Sequence, residues 1–146
     1  MSTDNVKVTS AQSRYSGLCY LATNITPTNS HYDRVVSLAG RGNYIALGSG
    51  KQIVAQRLGD ESYSITVGLS LPEHWGATTD LSNRPAALRE WLLQEHFAGW
   101  AEVNTDLIKR SEGDFYVWPL YTMSTESLSW STVPAVTLVG DAAHLT

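Results

Sequence analysis

The residues best suited to chemistry lie near the C-terminus, where Gly140 and Asp141 follow the apolar run 136–139. A short, continuous apolar run is typical of a strand buried on both faces of a parallel sheet, and such sheets bind ligands at the carboxyl ends of their strands. A helix beginning at Ala142 would direct free backbone N–H groups and a partial positive charge toward an anion. Because the Asp141 carboxylate could accept hydrogen bonds from sugar or polyol hydroxyls, the pattern predicts a site for a phosphate-bearing nucleotide cofactor.

The elements upstream of this motif predict an α+β fold with a mostly antiparallel sheet. Strands are predicted over residues 17–25, 43–47, 52–58, 63–71 and 114–121. Gly48-Ser49-Gly50 and residues 59–62 have the composition of hairpin turns, and Tyr63, Ile65, Val67 and Leu69 alternate with smaller or polar residues. The strands therefore form a meander with one protected face.

One amphipathic helix is predicted to cover that face. Residues 82–85, Ser-Asn-Arg-Pro, form a helix-start signature, and Leu88, Trp91, Leu92 and Glu95 recur at spacings of three and four residues. The helix should end near Gly99. A shorter helical turn is predicted over residues 103–109, and residues 124–134 are predicted to form a loop.

Several motifs, taken in order, carry a resemblance to a known family. Residues 136–145 end in Gly140-Asp141-Ala142-Ala143-His144 and resemble the second FAD motif of the single-component flavoprotein monooxygenases, which include aromatic-ring hydroxylases and tetracycline-inactivating enzymes. The other stretches that match the middle region of that family are Tyr15-Ser16-Gly17, Ala46-Leu47-Gly48-Ser49-Gly50-Lys51, Ile53-Val54-Ala55-Gln56-Arg57, Pro72-Glu73-His74-Trp75 and Trp118-Pro119-Leu120-Tyr121. The resemblance covers roughly residues 14–145.

The resemblance implies FAD as the cofactor, with Gly140, Asp141 and Ala142 as the cofactor-binding residues. In the family the Asp contacts the ribityl chain, and the backbone after it lies close to the pyrophosphate. The implied reaction hydroxylates or epoxidises an aromatic or polyketide-like molecule with NAD(P)H and dioxygen. No catalytic side chain is expected, since the cofactor carries the chemistry and the protein supplies binding and orientation. His144 is interpreted as stabilising the turn.

In the family that the motifs resemble, the sheet forms the substrate-facing wall above the flavin ring, so the resemblance implies substrate-binding residues on adjacent strands, and Tyr44, Val54 and Gln56 are the predicted ones. Two of them offer hydrogen bonds beside an apolar surface. The alternative is that all three are ordinary sheet-face residues, and a register slip of one residue would reverse the assignment.

The sequence lacks the G-x-G-x-x-G motif with which the family binds the ADP half of FAD, since Gly40-Arg41-Gly42 has no suitably placed third glycine. The chain therefore resembles an excised middle: a polar segment (1–13), a substrate-binding sheet domain (14–134) and part of a Rossmann-like FAD domain (135–146). FAD should bind weakly or not at all to the isolated chain. A terminal strand without neighbours would dock on the meander, fray or drive self-association. Two alternatives stay open: a flavin-free binding module or non-redox cyclase, and a non-functional truncated gene product.

Composition excludes several other classes. With 146 residues, 42% of them hydrophobic and 16% charged, and a net charge of −4, the chain suits one soluble domain and not a nucleic-acid-binding protein. No apolar run is long enough to span a membrane, and no secretory signal is visible, so a cytoplasmic location is expected. Cys19 is the only cysteine, and the four histidines lack metal-ligand spacing, so no metal site is predicted.

Overall fold

The computed structural model describes residues 12–124 and 129–143. Residues 17–119 form one compact unit, and a second unit comprises the described residues before and after that range. Most of the predicted polar segment 1–13 lies outside the described residues.

Five strands form a single sheet in the order β2-β3-β4-β1-β5. Their bounds are Ser13–Ile25 (β1), Asn43–Gly48 (β2), Lys51–Arg57 (β3), Tyr63–Ser70 (β4) and Glu112–Met123 (β5). The pairs β2/β3, β3/β4 and β4/β1 are antiparallel, which confirms the predicted sheet.

The two predicted hairpin turns are confirmed. Ser49 and Gly50 join β2 to β3 with φ angles of 50° and 70°. Two successive positive φ angles give a turn whose twist matches that of the flanking strands, and glycine adopts such angles without steric cost. In the β3–β4 turn, the Asp60 carboxylate accepts hydrogen bonds from the Ser62 backbone N–H (3.0 Å) and hydroxyl (2.6 Å).

The hydrophobic core lies on one face of the sheet. Tyr63, Ile65, Val67 and Leu69 are at most 1% exposed, so the predicted alternation in β4 is confirmed. The neighbouring strands and the helices add further residues that are fully buried, namely Leu21, Ile25, Ile53, Ala55, Leu88, Leu92, Phe97 and Ile108.

The covering layer contains more helices than predicted. Helix α1 (Tyr32–Ala39) connects β1 to β2. Helices α2 (Trp75–Thr78), α3 (Pro85–Trp91) and α4 (Glu102–Lys109) lie between β4 and β5, and α3 continues as a π-helical segment, Leu92–His96. The predicted start at Pro85 is confirmed. Helix α1 was missed because its eight residues include adjacent β-branched valines, which do not favour a helix, and because its stability depends on burying Val35.

In the second unit, Tyr15 and Tyr121 pack edge to face at 6.1 Å, and the Ser16 hydroxyl donates to the Leu120 carbonyl at 2.9 Å. The predicted strand at residues 136–139 is wrong, since the segment forms only one isolated bridge, between Val133 and Val136. Val136 and Val139 are 43% and 75% exposed. A strand of this composition needs neighbours and a cover on both faces, which the described residues of this unit do not supply.

Candidate functional site

The sheet has one face covered by helices and one open face. Because directly paired residues of antiparallel strands point to the same side, Ile45, Val54, Thr66 and Ala22 form one row across the sheet. Leu47, Gln52, Gly68 and Tyr20 form the next row. Both rows lie opposite the buried side chains of Ile53 and Ala55, so they define the open face.

Large apolar side chains remain exposed on the open face. Ile45 and Leu47 are 56% and 72% exposed. Trp118 of β5 is 42% exposed, and its ring packs edge to face against Tyr20 at 6.4 Å. Ile45 and Leu47 belong to the edge strand β2 and Trp118 to the opposite edge strand β5, so exposed apolar side chains flank the open face on both sides.

A groove of about 360 Å³ opens on this face. It is lined by Leu18, Tyr20, Leu47, Gly48, Ser49, Gly50, Lys51, Gln52 and Gly68. Gly68 sets its shape, because a Cβ atom there would lie 2.7 Å from Cγ of Gln52 and 3.0 Å from Cε1 of Tyr20. Because Gly68 has no side chain, the Gln52 side chain from β3 and the Tyr20 ring from β1 can both lie over β4. The groove thus combines apolar walls with one amide, a surface that suits a small planar molecule with a polar substituent.

The hairpin at the edge of the groove is tied to the helical layer. The Lys51 ammonium donates to the carbonyl of His96, the last residue of the π-helical segment, at 2.5 Å, and lies 5.9 Å from the centre of the Phe97 ring. Burial lowers the pKa of the His96 imidazole, and the nearby Lys51 charge lowers it further. The Trp91 ring contacts His96 at 4.2 Å and stacks on Trp75 at 5.2 Å. These contacts hold the β2–β3 turn in place.

The structure separates the three predicted substrate-binding residues. Val54 and Gln56 lie on the open face, but Tyr44 is paired with Ala55 and lies on the covered face. Its hydroxyl is 2.7 Å from Oδ1 of Asn104 in α4. The prediction that the three share one face is therefore wrong for Tyr44 by a slip of one residue, and Ile45 takes its place beside Val54.

Sequence reasoning missed Tyr20, Gln52 and Gly68. The alternation in β4 could have placed Gly68 opposite the buried set, since it falls between Val67 and Leu69. The cross-strand partners Gln52 and Tyr20 required the register of three strands, which no local pattern specified.

The predicted cofactor residues lie in the second unit, where Gly140–Ala142 form a 3-10 turn. Gly140 has a φ of 58°, and a Cβ there would meet no atom within 4 Å. Asp141 is exposed, and the Ala143 backbone N–H donates to the Gly140 carbonyl at 2.8 Å. An accessible glycine backbone beside an exposed carboxylate fits the phosphate and polyol portions of a nucleotide cofactor. His144 lies outside the described residues.

Among residues 12–124 and 129–143, no group of three or more His, Cys, Asp or Glu side chains is arranged to hold a metal ion. Within the same ranges, no helix is long and apolar enough to cross a membrane.

Comparison with known proteins agrees with this architecture. No protein-family profile matches the chain. In sequence it is 24% identical to the monooxygenase PenA of Penicillium thymicola over an alignment of 163 positions, which spans 90% of this chain and 38% of the relative. Two solved structures from Klebsiella pneumoniae each align with 94% of this chain and 32% of their own. They are R204Q HpxO complexed with FAD (TM-score 0.63, 23% identity) and HpxO complexed with FAD and uric acid (TM-score 0.64, 21% identity).

The fold is therefore the α+β, antiparallel-sheet fold of the substrate domain of flavoprotein monooxygenases. In sequence and fold the chain resembles the FAD-dependent monooxygenases, which confirms the resemblance carried by its motifs. It spans less than two fifths of the length of the curated relative.

Proposed function

We propose that this chain is the substrate-binding part of an FAD-dependent monooxygenase. The reaction proposed for the whole enzyme is the hydroxylation or epoxidation of an aromatic or polyketide-like small molecule with NAD(P)H and dioxygen. The observation that carries this proposal is the open apolar sheet face with its groove at Gly68. The similarity to a curated monooxygenase over 90% of the chain supports the reaction class.

On the substrate side, an aromatic ring would lie against the exposed side chains of Ile45 and Leu47 and the half-buried side chain of Val54. The Gln52 amide can both donate and accept hydrogen bonds, so it would orient a hydroxyl or carbonyl substituent of the ring. Gln56, further along the same face, offers a second amide. Burying a flat ring on this surface would exclude water from the reacting face of the substrate. The uric acid bound to HpxO is a small planar molecule of the kind that such a surface would accept.

On the cofactor side, we propose that Gly140, Asp141 and Ala142 contact FAD. Gly140 would allow the flavin nucleotide to approach the backbone closely, and the Asp141 carboxylate would accept hydrogen bonds from the ribityl hydroxyls. When bound and reduced, FAD supplies the activation of dioxygen.

We propose a cytoplasmic location, because a reducing compartment suits a sequence whose single cysteine, Cys19, is buried in the core and so forms no disulfide within the chain. We also propose that residues 136–139 pair with another chain, since the exposed Val136 and Val139 side chains would be buried by such pairing.

A titration with FAD tests the cofactor part. We expect flavin fluorescence to be quenched saturably by the purified chain with a dissociation constant weaker than about 1 µM, or less than about 8 kcal/mol of binding free energy. The Asp141→Ala variant should bind about tenfold more weakly, because a hydrogen bond to a charged group contributes about 1.5–3 kcal/mol. Asp80→Ala is the matched control, because Asp80 is also the acidic residue of a 3-10 turn. This variant should bind FAD with the affinity of the wild-type chain. Equal affinity of Asp141→Ala and the wild-type chain for FAD would contradict the proposal.

The proposed substrate site is tested by the Gly68→Ala variant, in which one added methyl group narrows the groove. We expect 2-naphthol, as a planar phenol probe, to shift the backbone amide NMR signals of residues 45–47, 52–54 and 66–68. Gly68→Ala should weaken this binding by about tenfold, or about 1.4 kcal/mol, because the new Cβ displaces the Gln52 side chain. Gly59→Ala is the matched control, since a Cβ at Gly59 meets no atom within 4 Å. Equal affinity of the two variants, or shifts confined to the covered face, would show that the groove is not the ligand site.

A further inference from the structure

A second cavity lies on the helix-covered side of the sheet, between α1 and α4. Its volume is about 550 Å³, which is within the range of small-molecule sites. The floor is formed by Ile25, Val35 and Leu107, each at most 3% exposed, and Leu38 and Val103 also line it. Ile25 belongs to the covered face of β1, being paired with Tyr63, so the sheet separates this cleft from the groove at Gly68.

One end of the cleft carries two guanidinium groups that share a single carboxylate. Nη1 of Arg34 lies 3.2 Å from Oδ2 of Asp106, and Nε of Arg110 lies 4.0 Å from Oδ1 of the same side chain. Asp106 is 19% exposed, whereas the Arg34 and Arg110 side chains are 75% and 41% exposed. Each guanidinium has five N–H donors, and those that do not face Asp106 are exposed to solvent, where a second carboxylate can replace water as their partner.

The order of the residues along the helices defines the direction of the cleft. The Asn29 side chain donates to the Arg110 carbonyl at 2.9 Å, so the end of α4 lies beside the loop that leads into α1. On α1, Leu38 lies one helical turn after Arg34. On α4, Val103 lies about one helical turn before Asp106. The cleft therefore runs from a charged end, with the two guanidinium groups, to an apolar end.

Three other titratable groups line the cleft. His31 lies at the charged end, next to the start of α1. Asp33 and Glu102 are exposed, so water screens their repulsion of an anion. Glu102 is also one turn away from Asp106, beside Val103, and thus near the apolar end.

From this arrangement we infer that the cleft between α1 and α4 binds a small amphipathic carboxylic acid. The carboxylate of the ligand would bridge Arg34 and Arg110, and its apolar body would lie between Leu38 and Val103. Such a site does not depend on the function proposed for the open face, and its ligand differs in charge and shape from a planar aromatic substrate.

Binding of octanoate to the complete chain, followed through the backbone amide NMR signals, tests this inference. We expect saturable shifts in α1 and α4 and none on the open face. Octylamine, which has the same number of carbon atoms and the opposite charge, should bind at least about tenfold more weakly because the site selects an anion. Equal binding of the acid and the amine, or octanoate shifts outside α1 and α4, would overturn the inference.

Variants separate the site from general effects on the fold. The double variant Arg34→Gln, Arg110→Gln should weaken octanoate binding at least about tenfold, and Val103→Asp should do the same by placing a charge on the apolar wall. Arg41→Gln, which removes an exposed charge outside the cleft, should bind octanoate like the wild type. Circular dichroism should show that all three proteins are folded. Wild-type affinity in both cleft variants would refute the site, whatever the result of the FAD titration.

Discussion

Replacing Ile53 by Asp is expected to unfold the chain, whereas the same change at the adjacent Val54 is expected to leave it folded. Ile53 is fully buried on the covered face, paired with Val67, so an aspartate there would place a carboxylate in the core without a partner. We expect a loss of more than about 4 kcal/mol in the free energy of unfolding. Val54 lies on the open face, where water can reach a carboxylate, and the expected loss is within about 1 kcal/mol.

Urea unfolding followed by circular dichroism measures both values. The two variants have the same change in charge in adjacent residues of the same strand, so they differ mainly in the face that receives the carboxylate. If Val54→Asp lost as much stability as Ile53→Asp, the open face would have to be covered in solution. That result would also remove the basis for a ligand groove at Gly68.

The second large effect is expected at Phe97, just after the π-helical segment. Its side chain is fully buried, and its ring packs edge to face against Trp100 at 4.9 Å. Phe97→Ala should lower the free energy of unfolding by about 3–5 kcal/mol, because it removes a large apolar side chain and leaves a cavity. Thermal unfolding followed by circular dichroism should show a melting temperature lower by roughly 10 °C or more.

Leu47→Ala is the matched control for Phe97→Ala. Leu47 is 72% exposed on the open face, so its truncation should change the free energy of unfolding by about 0.5 kcal/mol or less. A loss of several kcal/mol at Leu47 would mean that this side chain is buried by self-association, and the effect should then depend on protein concentration.

The residues expected to stabilise the fold lie on the covered face of the sheet, and the residues proposed to bind the ligand lie on its open face. Side chains such as Ile65 and Val67 hold the helical layer, and their strand neighbours Thr66 and Gly68 face outward. Substitutions on the open face should therefore alter ligand binding while leaving the fold intact. This separation makes the Gly68→Ala experiment interpretable.

Local patterns in the sequence were sufficient for the antiparallel sheet, both hairpin turns, the start of the helix at Pro85 and the buried set in β4. Each of these features depends on residues close together in the chain: alternation sets the face within a strand, and turn residues such as Gly50 set the backbone angles of a hairpin. The motif series also pointed to the flavoprotein monooxygenases, because it is read in the order of the chain.

Only the tertiary structure decided which residues share a face or a cavity. The pairing of Tyr44 with Ala55 moved Tyr44 to the covered side, and the approach of Gln52 and Tyr20 over Gly68 required three strands in register. Helix α1 and its cleft with α4 arose from packing, since an eight-residue helix has little stability of its own. Residues 136–139 have the apolar character of a buried strand, but forming that strand requires neighbouring strands and a covering layer, which local composition does not provide.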